Sequence, residues 1–232
     1  MLITTLYFGL CYLFVYGTFG NGYVGNKVTK FTKYKSVIEG YICPADHIIF
    51  DYEENVSLAR CALKCSKTSM CYGVFRHITG MRCVGCQDRF LTSDTAPLLS
   101  GTEYFRRQTY KLVLKRMPWT DAKNYCKDLG GYLAIITSQE EEQFIETSVF
   151  SAQNGSVWLG ATIDASAEFF LWKDGSAVSD GYMNWKDGEP TLYNPSNDKA
   201  QHCMLIHKHT SGVWRWKAKS CSYKVIPLCE FD

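Results

Sequence analysis

The sequence predicts an α+β protein in which short helices and antiparallel strands are joined by disulfide bonds. Two observations support this prediction. One is the count of 11 cysteines in 232 residues, which indicates disulfides if the chain is secreted. The other is the stretch 157–190, where Trp158, Trp172 and Trp185 lie close to Gly or Asp. Large rings supply much of a compact core, and Gly and Asp permit the turns between strands.

The composition is that of an ordinary globular protein. Hydrophobic residues make up 46% of the chain and charged residues 21%. The length predicts one or two domains, at roughly 100–200 residues each. The formal net charge of +2 gives no whole-chain argument for nucleic acid or for a membrane surface as a partner.

Residues 1–20 are predicted to be a secretory signal peptide. They are apolar and uncharged, and small residues between Gly17 and Gly22 provide a cleavage site. The alternative is an uncleaved anchor, because the run approaches the ~20 residues that span a bilayer. Cleavage would remove Cys11 and leave an even number of cysteines. The N-x-S/T sequons at Asn55 and Asn154 also favour a secreted, extracellular glycoprotein.

Residues 21–42 form a basic leader. Four lysines alternate there with apolar residues: Lys27, Lys30, Lys33 and Lys35. The leader is either a solvated connection or a basic arm that contacts an anionic partner.

Residues 43–107 form a small cysteine-rich module. Ser57 can cap a helix that continues to Cys65, with apolar residues on one face, and a strand follows from Cys71 to Phe75. Its cysteines are Cys43, Cys61, Cys65, Cys71, Cys83 and Cys86. Six cysteines permit 15 connectivities, and Cys83-x-x-Cys86 could instead be half of a zinc site or a redox pair. A module of this size needs covalent cross-links to be stable.

This module resembles the PAN/apple family, in which a Cys-x-x-x-Cys helix is joined to nearby strands. The resemblance implies an α+β module. It also implies the pairs Cys61–Cys83 and Cys65–Cys71, which leaves Cys43 for Cys86.

Residues 109–232 alternate between helical and strand patterns. Tyr110 to Leu114 reads as a strand, and Pro118 begins a helix that Gly130 and Gly131 end. The apolar face of that helix is predicted from Trp119, Ala122, Cys126 and Leu129. Ser138 to Glu141 is a capping box that starts a second helix with the stripe Phe144, Ile145 and Val149. Three further strands are predicted at 203–206, 213–217 and 225–229.

This segment resembles the C-type lectin-like domain. The resemblance rests on Trp158-Leu159-Gly160, on the turn 172–175, on Glu189-Pro190 and on four cysteines. It implies a fold of two helices, antiparallel strands and a long loop. It also implies the disulfides Cys126–Cys229 and Cys203–Cys221.

Sugar-binding members of that family hold calcium in the long loop, and this sequence departs from their ligand set. Glu189 is kept, but Thr191 and the neutral amide of Gln201 stand at two ligand positions, and Lys217-Ala218 replaces an Asn-Asp pair. Calcium requires six to eight oxygen ligands, and Lys217 adds a positive charge. We therefore predict that this loop holds no calcium and needs no cofactor.

Two other groups of residues are candidates for metal sites. The resemblance implies an accessory calcium site whose spacing Asp164 and Glu168 match and which Asp198 could join, but a solvated acidic loop is the favoured explanation. His207-x-His209 could bind zinc only with a third ligand, which the nearby sequence does not provide.

A basic strand suggests a different ligand. Arg215, Lys217 and Lys219 alternate with Trp214 and Trp216, which would lie on the buried face. We expect the basic side chains, with Glu189, Thr191 and Gln201, to bind an anionic group of a sulfated or sialylated glycan or of an acidic protein. The alternative is a solvated basic strand.

No catalytic motif is present, and disulfides account for the cysteines, so the chain is predicted not to be an enzyme. Three functions stay open. The chain is a lectin-like glycan-binding protein, a protein–protein interaction module or a structural component of matrix or mucus.

Overall fold

The computed structural model describes residues 2–7, 10–17, 27–33, 40–53, 56–79, 82–87, 97–163, 169–194, 199–200 and 202–231. The chain forms two compact units, and it passes from the first to the second between Thr109 and Tyr110. The N-terminal unit contains residues 1–18 and 28–109, and the C-terminal unit contains 19–27 and 110–231. Within the described ranges, no helix has the length and apolar character needed to cross a membrane.

The N-terminal unit begins with an antiparallel pair of strands, β1 (Leu2–Tyr7) and β2 (Leu10–Gly17). These strands lie in the segment that the sequence predicts to be a signal peptide, and its removal stays a prediction. The remaining elements are β3 (Lys27–Lys33), β4 (Ile48–Tyr52), helix α1 (Leu58–Lys67), β5 (Gly73–His77), β6 (Cys83–Cys86) and β7 (Thr102–Leu112). Lys27 of β3 and residues 110–112 of β7 are assigned to the C-terminal unit.

Four strands of the N-terminal unit form an antiparallel sheet in the order β4, β6, β5, β7. Helix α1 starts where the sequence predicts, because the Ser57 hydroxyl accepts a hydrogen bond from the Arg60 amide at 3.3 Å. The predicted apolar face of α1 is buried. It packs with Val74 and Phe105 of the sheet in one core cluster.

Three disulfides join these elements: Cys43–Cys86, Cys61–Cys83 and Cys65–Cys71. This is the pairing that the resemblance implies. Because Cys83 and Cys86 each bond a different partner, they form neither a redox pair with one another nor half of a zinc site.

The C-terminal unit has its helices early in the chain and most of its strands later. Its elements are α2 (Trp119–Asp128), β8 (Tyr132–Leu133), α3 (Gln139–Phe144), a π-helical turn (Ile145–Val149), β9 (Ser156–Ile163), β10 (Phe170–Leu171), β11 (Tyr193–Asn194), β12 (Lys199–Ala200), β13 (Cys203–Lys208), β14 (Trp214–Lys219) and β15 (Ile226–Phe231). Strand β9 lies between β15, which runs parallel to it, and β13, which runs antiparallel and pairs in turn with β14.

The core of this unit forms around Trp158, which is fully buried in β9. Its indole nitrogen donates to the Met117 carbonyl at 2.9 Å, and the Trp119 indole donates to the Leu159 carbonyl at 2.8 Å. Both buried polar groups are therefore satisfied. The disulfides are Cys126–Cys229 and Cys203–Cys221, as the resemblance implies. The sequon residue Asn154 is exposed before β9, whereas Asn55 lies outside the described residues.

Two predicted core positions are wrong. Leu129 is 37% exposed because it caps α2 beyond the last helical turn, and the left-handed Gly130 then redirects the chain. Val149 is only half-buried, whereas Phe150 is 1% exposed. The π-helical turn explains the shift, because the Phe150 amide donates to the Ile145 carbonyl five residues back at 2.9 Å.

Gly160 is required by the close approach of two strands, and we expect Gly160→Ala to destabilise the C-terminal unit by about 1–3 kcal/mol. A Cβ at this position would lie 2.4 Å from the Leu133 carbonyl oxygen, which is backbone and cannot rotate away. Tryptophan fluorescence during urea unfolding measures this unit alone, since all six tryptophans lie in it. Gly181→Ala is the matched control, because a Cβ there meets nothing within 4 Å. Equal midpoints for the two variants would contradict the packing argument.

Candidate functional site

The long loop returns to β14 through residues 184–186. The Trp216 amide donates to the Asn184 carbonyl at 2.8 Å, and the Lys186 amide donates to the Trp216 carbonyl at 2.9 Å. The Trp216 ring is fully buried, with the rings of Trp172, Tyr182 and Trp185 edge-on at 5.8, 5.6 and 5.9 Å. Strand β14 thus anchors the loop on its buried face and presents its other face to the site. Its residues alternate between buried and half-buried, as predicted.

A cleft of about 430 Å³ opens beside this face of β14. It is lined by residues from the loop, β9, β13 and β14: Ser156, Glu189, Thr191, Tyr193, Leu205, His207, Lys217, Ala218, Lys219 and Tyr223. The structure therefore brings together four of the residues predicted for the site, namely Glu189, Thr191, Lys217 and Lys219.

The Glu189 carboxylate holds the loop against β14. One of its oxygens, Oε2, accepts hydrogen bonds from the Thr191 amide at 2.7 Å and from the Ala218 amide at 3.3 Å. The Thr191 hydroxyl donates to the Gly188 carbonyl at 3.1 Å, and the peptide bond between Glu189 and Pro190 is cis. Both side chains are therefore already used in shaping the loop.

Two ammonium groups supply the positive charge of the cleft. Burial lowers the pKa of Lys217, the neighbouring Lys186 and Lys219 lower it further, and Glu189 opposes them. The Lys219 ammonium lies 5.0 Å from the centre of the Tyr223 ring. An anion in the cleft would relieve the repulsion among these lysines.

His207 completes one wall. Its Nδ1 atom and the Ser156 hydroxyl form a hydrogen bond of 3.0 Å. Burial lowers the pKa of His207, and the charge of Lys217 lowers it further, so its imidazole is neutral at pH 7. The rings of His207 and His209 are 5.2 Å apart, but the described residues contain no third ligand that would complete a zinc site with them.

Arg215 does not belong to the cleft as the described residues define it. It lies close enough to Glu146 to counter the effect of burial, which raises the pKa of that carboxyl group. Its guanidinium also donates to the Trp214 carbonyl at 2.8 Å. Four other predicted site residues fall outside the described residues: Asp164, Glu168, Asp198 and Gln201.

The described residues at the predicted ligand positions offer too few side-chain oxygens for a calcium ion. Of the described residues at this position, Glu189 and Thr191 supply side-chain oxygens, and both are engaged in loop hydrogen bonds. Lys217 lines the same cleft. Calcium requires six to eight oxygens, and an adjacent ammonium group repels it.

Sequence patterns missed Ser156, Tyr193 and Leu205 as cleft residues. Strand register brings Ser156 and Leu205 to the cleft, because β13 pairs His207 with Ser156 of β9 and Leu205 with Lys217 of β14. Nothing in the local sequence marks a serine 51 residues before His207 as its hydrogen-bonding partner.

A buried carboxyl group lies behind the site and was also missed. Glu142 of α3 is 1% exposed, and its Oε1 atom accepts a hydrogen bond from the Asn184 side chain. Burial raises the pKa of Glu142 to about 7, against the opposing hydrogen bond from Asn184. Burial also raises the pKa of Tyr182, and the charge of Glu142 raises it further. Glu142 thus links α3 to the start of the loop return.

The C-terminal unit is similar in sequence to known proteins. Residues 115–231 match the family model described as the lectin C-type domain. The chain is 29% identical to chicken (Gallus gallus) hepatic lectin over 181 residues, which cover 76% of this chain and 77% of that protein. It is 28% identical to rat versican core protein over 130 residues, which cover 56% of this chain but only 4% of versican.

Among solved structures, the mouse scavenger receptor C-type lectin carbohydrate-recognition domain is 28% identical. The match covers 54% of this chain and 90% of that one, with a TM-score of 0.47. The relatives are C-type lectin domain proteins, a family that is generally non-enzymatic, and they support lectin-like recognition. With its family match across 115–231, the chain belongs to the C-type lectin domain family.

Proposed function

We propose that the C-terminal unit is a recognition module that binds an anionic carbohydrate in the long-loop cleft without calcium. The observation that carries the proposal is that Lys217 and Lys219 line the cleft while the Glu189 carboxylate is bonded to the loop and to β14. The likeness to hepatic lectin supports a carbohydrate as the ligand. The module recognises its ligand and catalyses no reaction.

The charges suit a sulfate or carboxylate on a sugar ring. Lys217 and Lys219 are two residues apart in β14, so their stems leave the same face about 7 Å apart. At ~4 Å and an effective dielectric of 20, a pair of unit charges interacts by about 4 kcal/mol, attractively for an anion and repulsively for a cation. The hydroxyl-bearing side chains of Ser156 and Tyr193 also line the cleft.

We also propose that the chain is a secreted glycoprotein and that residues 43–107 are a PAN/apple-like module. The helix packed on an antiparallel sheet and the three disulfides support the module, and disulfide density supports an oxidising compartment.

The test is retention on a sulfated-polysaccharide column of heparin type. Lys217→Glu with Lys219→Glu is expected to abolish retention at moderate salt and to weaken binding by about 10–100-fold, because two attractions become repulsions. Arg215→Glu with Lys208→Glu is the matched control, since it makes the same charge change outside the cleft lining. An equal loss in both variants would mean that binding follows net charge alone.

Calcium dependence is tested on the same column and on a glycan array. Retention with calcium and with chelator is expected to be equal, because the ligand contacts ammonium groups directly. Loss of retention in chelator would contradict the calcium-free site. Unchanged retention of Lys217→Glu with Lys219→Glu would show that the cleft is not the binding site.

A further inference from the structure

We propose that the C-terminal unit carries a second binding site, a groove that takes an apolar side chain flanked by carboxylates on a segment of a partner protein. The groove lies against α2, β8, β9 and the turn after β10, and it shares no lining residue with the long-loop cleft. The inference therefore goes beyond the proposed function and does not depend on it.

The groove is a preformed apolar pocket of about 390 Å³. Five apolar or aromatic side chains line it: Trp119, Tyr132, Leu133, Leu171 and Trp172. Trp119 and Trp172 are mostly buried, so the walls are held by the core. Gly131 and Gly160 leave backbone as part of the surface. The volume lies at the small end of ligand pockets, about 300–1,000 Å³, and suits one large side chain.

Three lysines surround this apolar pocket. Lys123 and Lys127 are four residues apart on one face of α2, and Lys173 comes from the turn after β10. The Lys173 ammonium lies 2.9 Å from the centre of the Tyr132 ring, and that of Lys123 lies 5.7 Å from the Trp119 ring. No acidic side chain is present among the described lining residues. The charged side chains that line the groove are therefore all positive and complement carboxylates, while Asp174 interacts with Lys173 from outside the lining.

Hydrogen-bonding capacity favours a peptide over a sugar. A sugar ring carries hydroxyls that need acceptors as well as donors, but lysine side chains only donate. The Thr162 hydroxyl, which also lines the groove, already donates to the His202 carbonyl at 2.8 Å. An apolar anchor in a pocket with a charged rim is instead the usual pattern of protein–protein contacts.

The test uses the full oxidised chain and a blocked pentapeptide with phenylalanine between two pairs of glutamates. Binding is followed by NMR through the six indole signals, assigned by single Trp→Phe variants. The peptide is expected to shift the signals of Trp119 and Trp172. Replacing its glutamates by glutamine, or its phenylalanine by alanine, is expected to weaken binding by about tenfold.

Two variants with the same change of charge distinguish binding in the groove from attraction to the positive charge of the whole chain. Lys123→Gln, Lys127→Gln and Lys173→Gln together are expected to weaken binding by about tenfold, because three attractions are lost. Lys64→Gln, Lys67→Gln and Lys115→Gln remove the same charge from exposed positions elsewhere and are expected to change it by less than about twofold.

Three results would overturn the proposal. One is an equal loss in both triple variants. Another is an alanine peptide that binds as well as the phenylalanine peptide. The third is a sulfated disaccharide that shifts the Trp119 and Trp172 signals at lower concentration than the peptide, which would assign the groove to a saccharide.

Discussion

Trp216→Ala is expected to lower the free energy of unfolding of the C-terminal unit by about 3–5 kcal/mol. The ring is fully buried and has three aromatic neighbours edge-on between 5.6 and 5.9 Å. Each such pair contributes about 0.5–1.5 kcal/mol beyond area burial. Because Trp172, Tyr182 and Trp185 belong to the loop or to the turn before it, the variant is also expected to loosen the loop and weaken ligand binding.

Urea unfolding followed by the remaining five tryptophans measures this loss in the C-terminal unit. Trp216→Phe is the graded control, because it keeps an aromatic ring against the three neighbours and should cost much less than the alanine variant. An alanine variant within about 1 kcal/mol of the unchanged chain would contradict a central role for this ring.

Glu142→Gln is expected to remove a pH dependence of stability worth roughly 2–3 kcal/mol between pH 4.5 and 7. Burial raises the pKa of Glu142 from 4.5 to about 7 in the folded chain. In that interval the folded state holds a proton that the unfolded state has released. The free energy of unfolding therefore falls as the pH rises, and the Glu142 contribution is greatest at the acidic end.

The measurement is the difference between the unfolding free energies of the unchanged chain and of Glu142→Gln across this interval. Groups that titrate equally in both proteins cancel in the difference. Arg215 keeps its charge in the variant, whereas Glu146, whose pKa is also raised by burial, interacts with Glu142 and therefore contributes to the difference. Glu140→Gln, on the exposed face of α3, is the control. If the unfolding free energies of Glu142→Gln and of the unchanged chain varied with pH in parallel, the raised pKa of the buried Glu142 carboxyl group would be contradicted.

Local chemistry made several elements predictable. Ser57 accepts the predicted hydrogen bond from Arg60, and Ser138 accepts one from Glu141. The second hydrogen bond of that capping box differs from the predicted one. The Glu141 carboxylate accepts from the Thr137 amide instead of from the amide of the N-cap residue Ser138. The two-residue period of β14 correctly separates its tryptophans from its basic residues. These signals depend on neighbours along the chain, so a sequence pattern contains them.

The position of Arg215 shows where such patterns stop. It shares a face of β14 with Lys217, but its guanidinium neighbours Glu146, whereas Lys217 lines the cleft with Glu189. The course of the long loop and the position of the π-helical turn decide which basic residue lines the cleft. Neither depends on the residues next to Arg215.

The family, the strand that bears Lys217 and the residues at the family's calcium-ligand positions could all be read from the amino-acid order, because motif spacing and side-chain chemistry are local properties. Three features required the folded chain: Glu189 is bonded to β14, Ser156 meets His207, and lysines from α2 and from the turn after β10 surround one apolar groove. The reason is physical: strand register and loop course are set by the packing of residues far apart in the chain. The same packing gives the buried Glu142 its pKa.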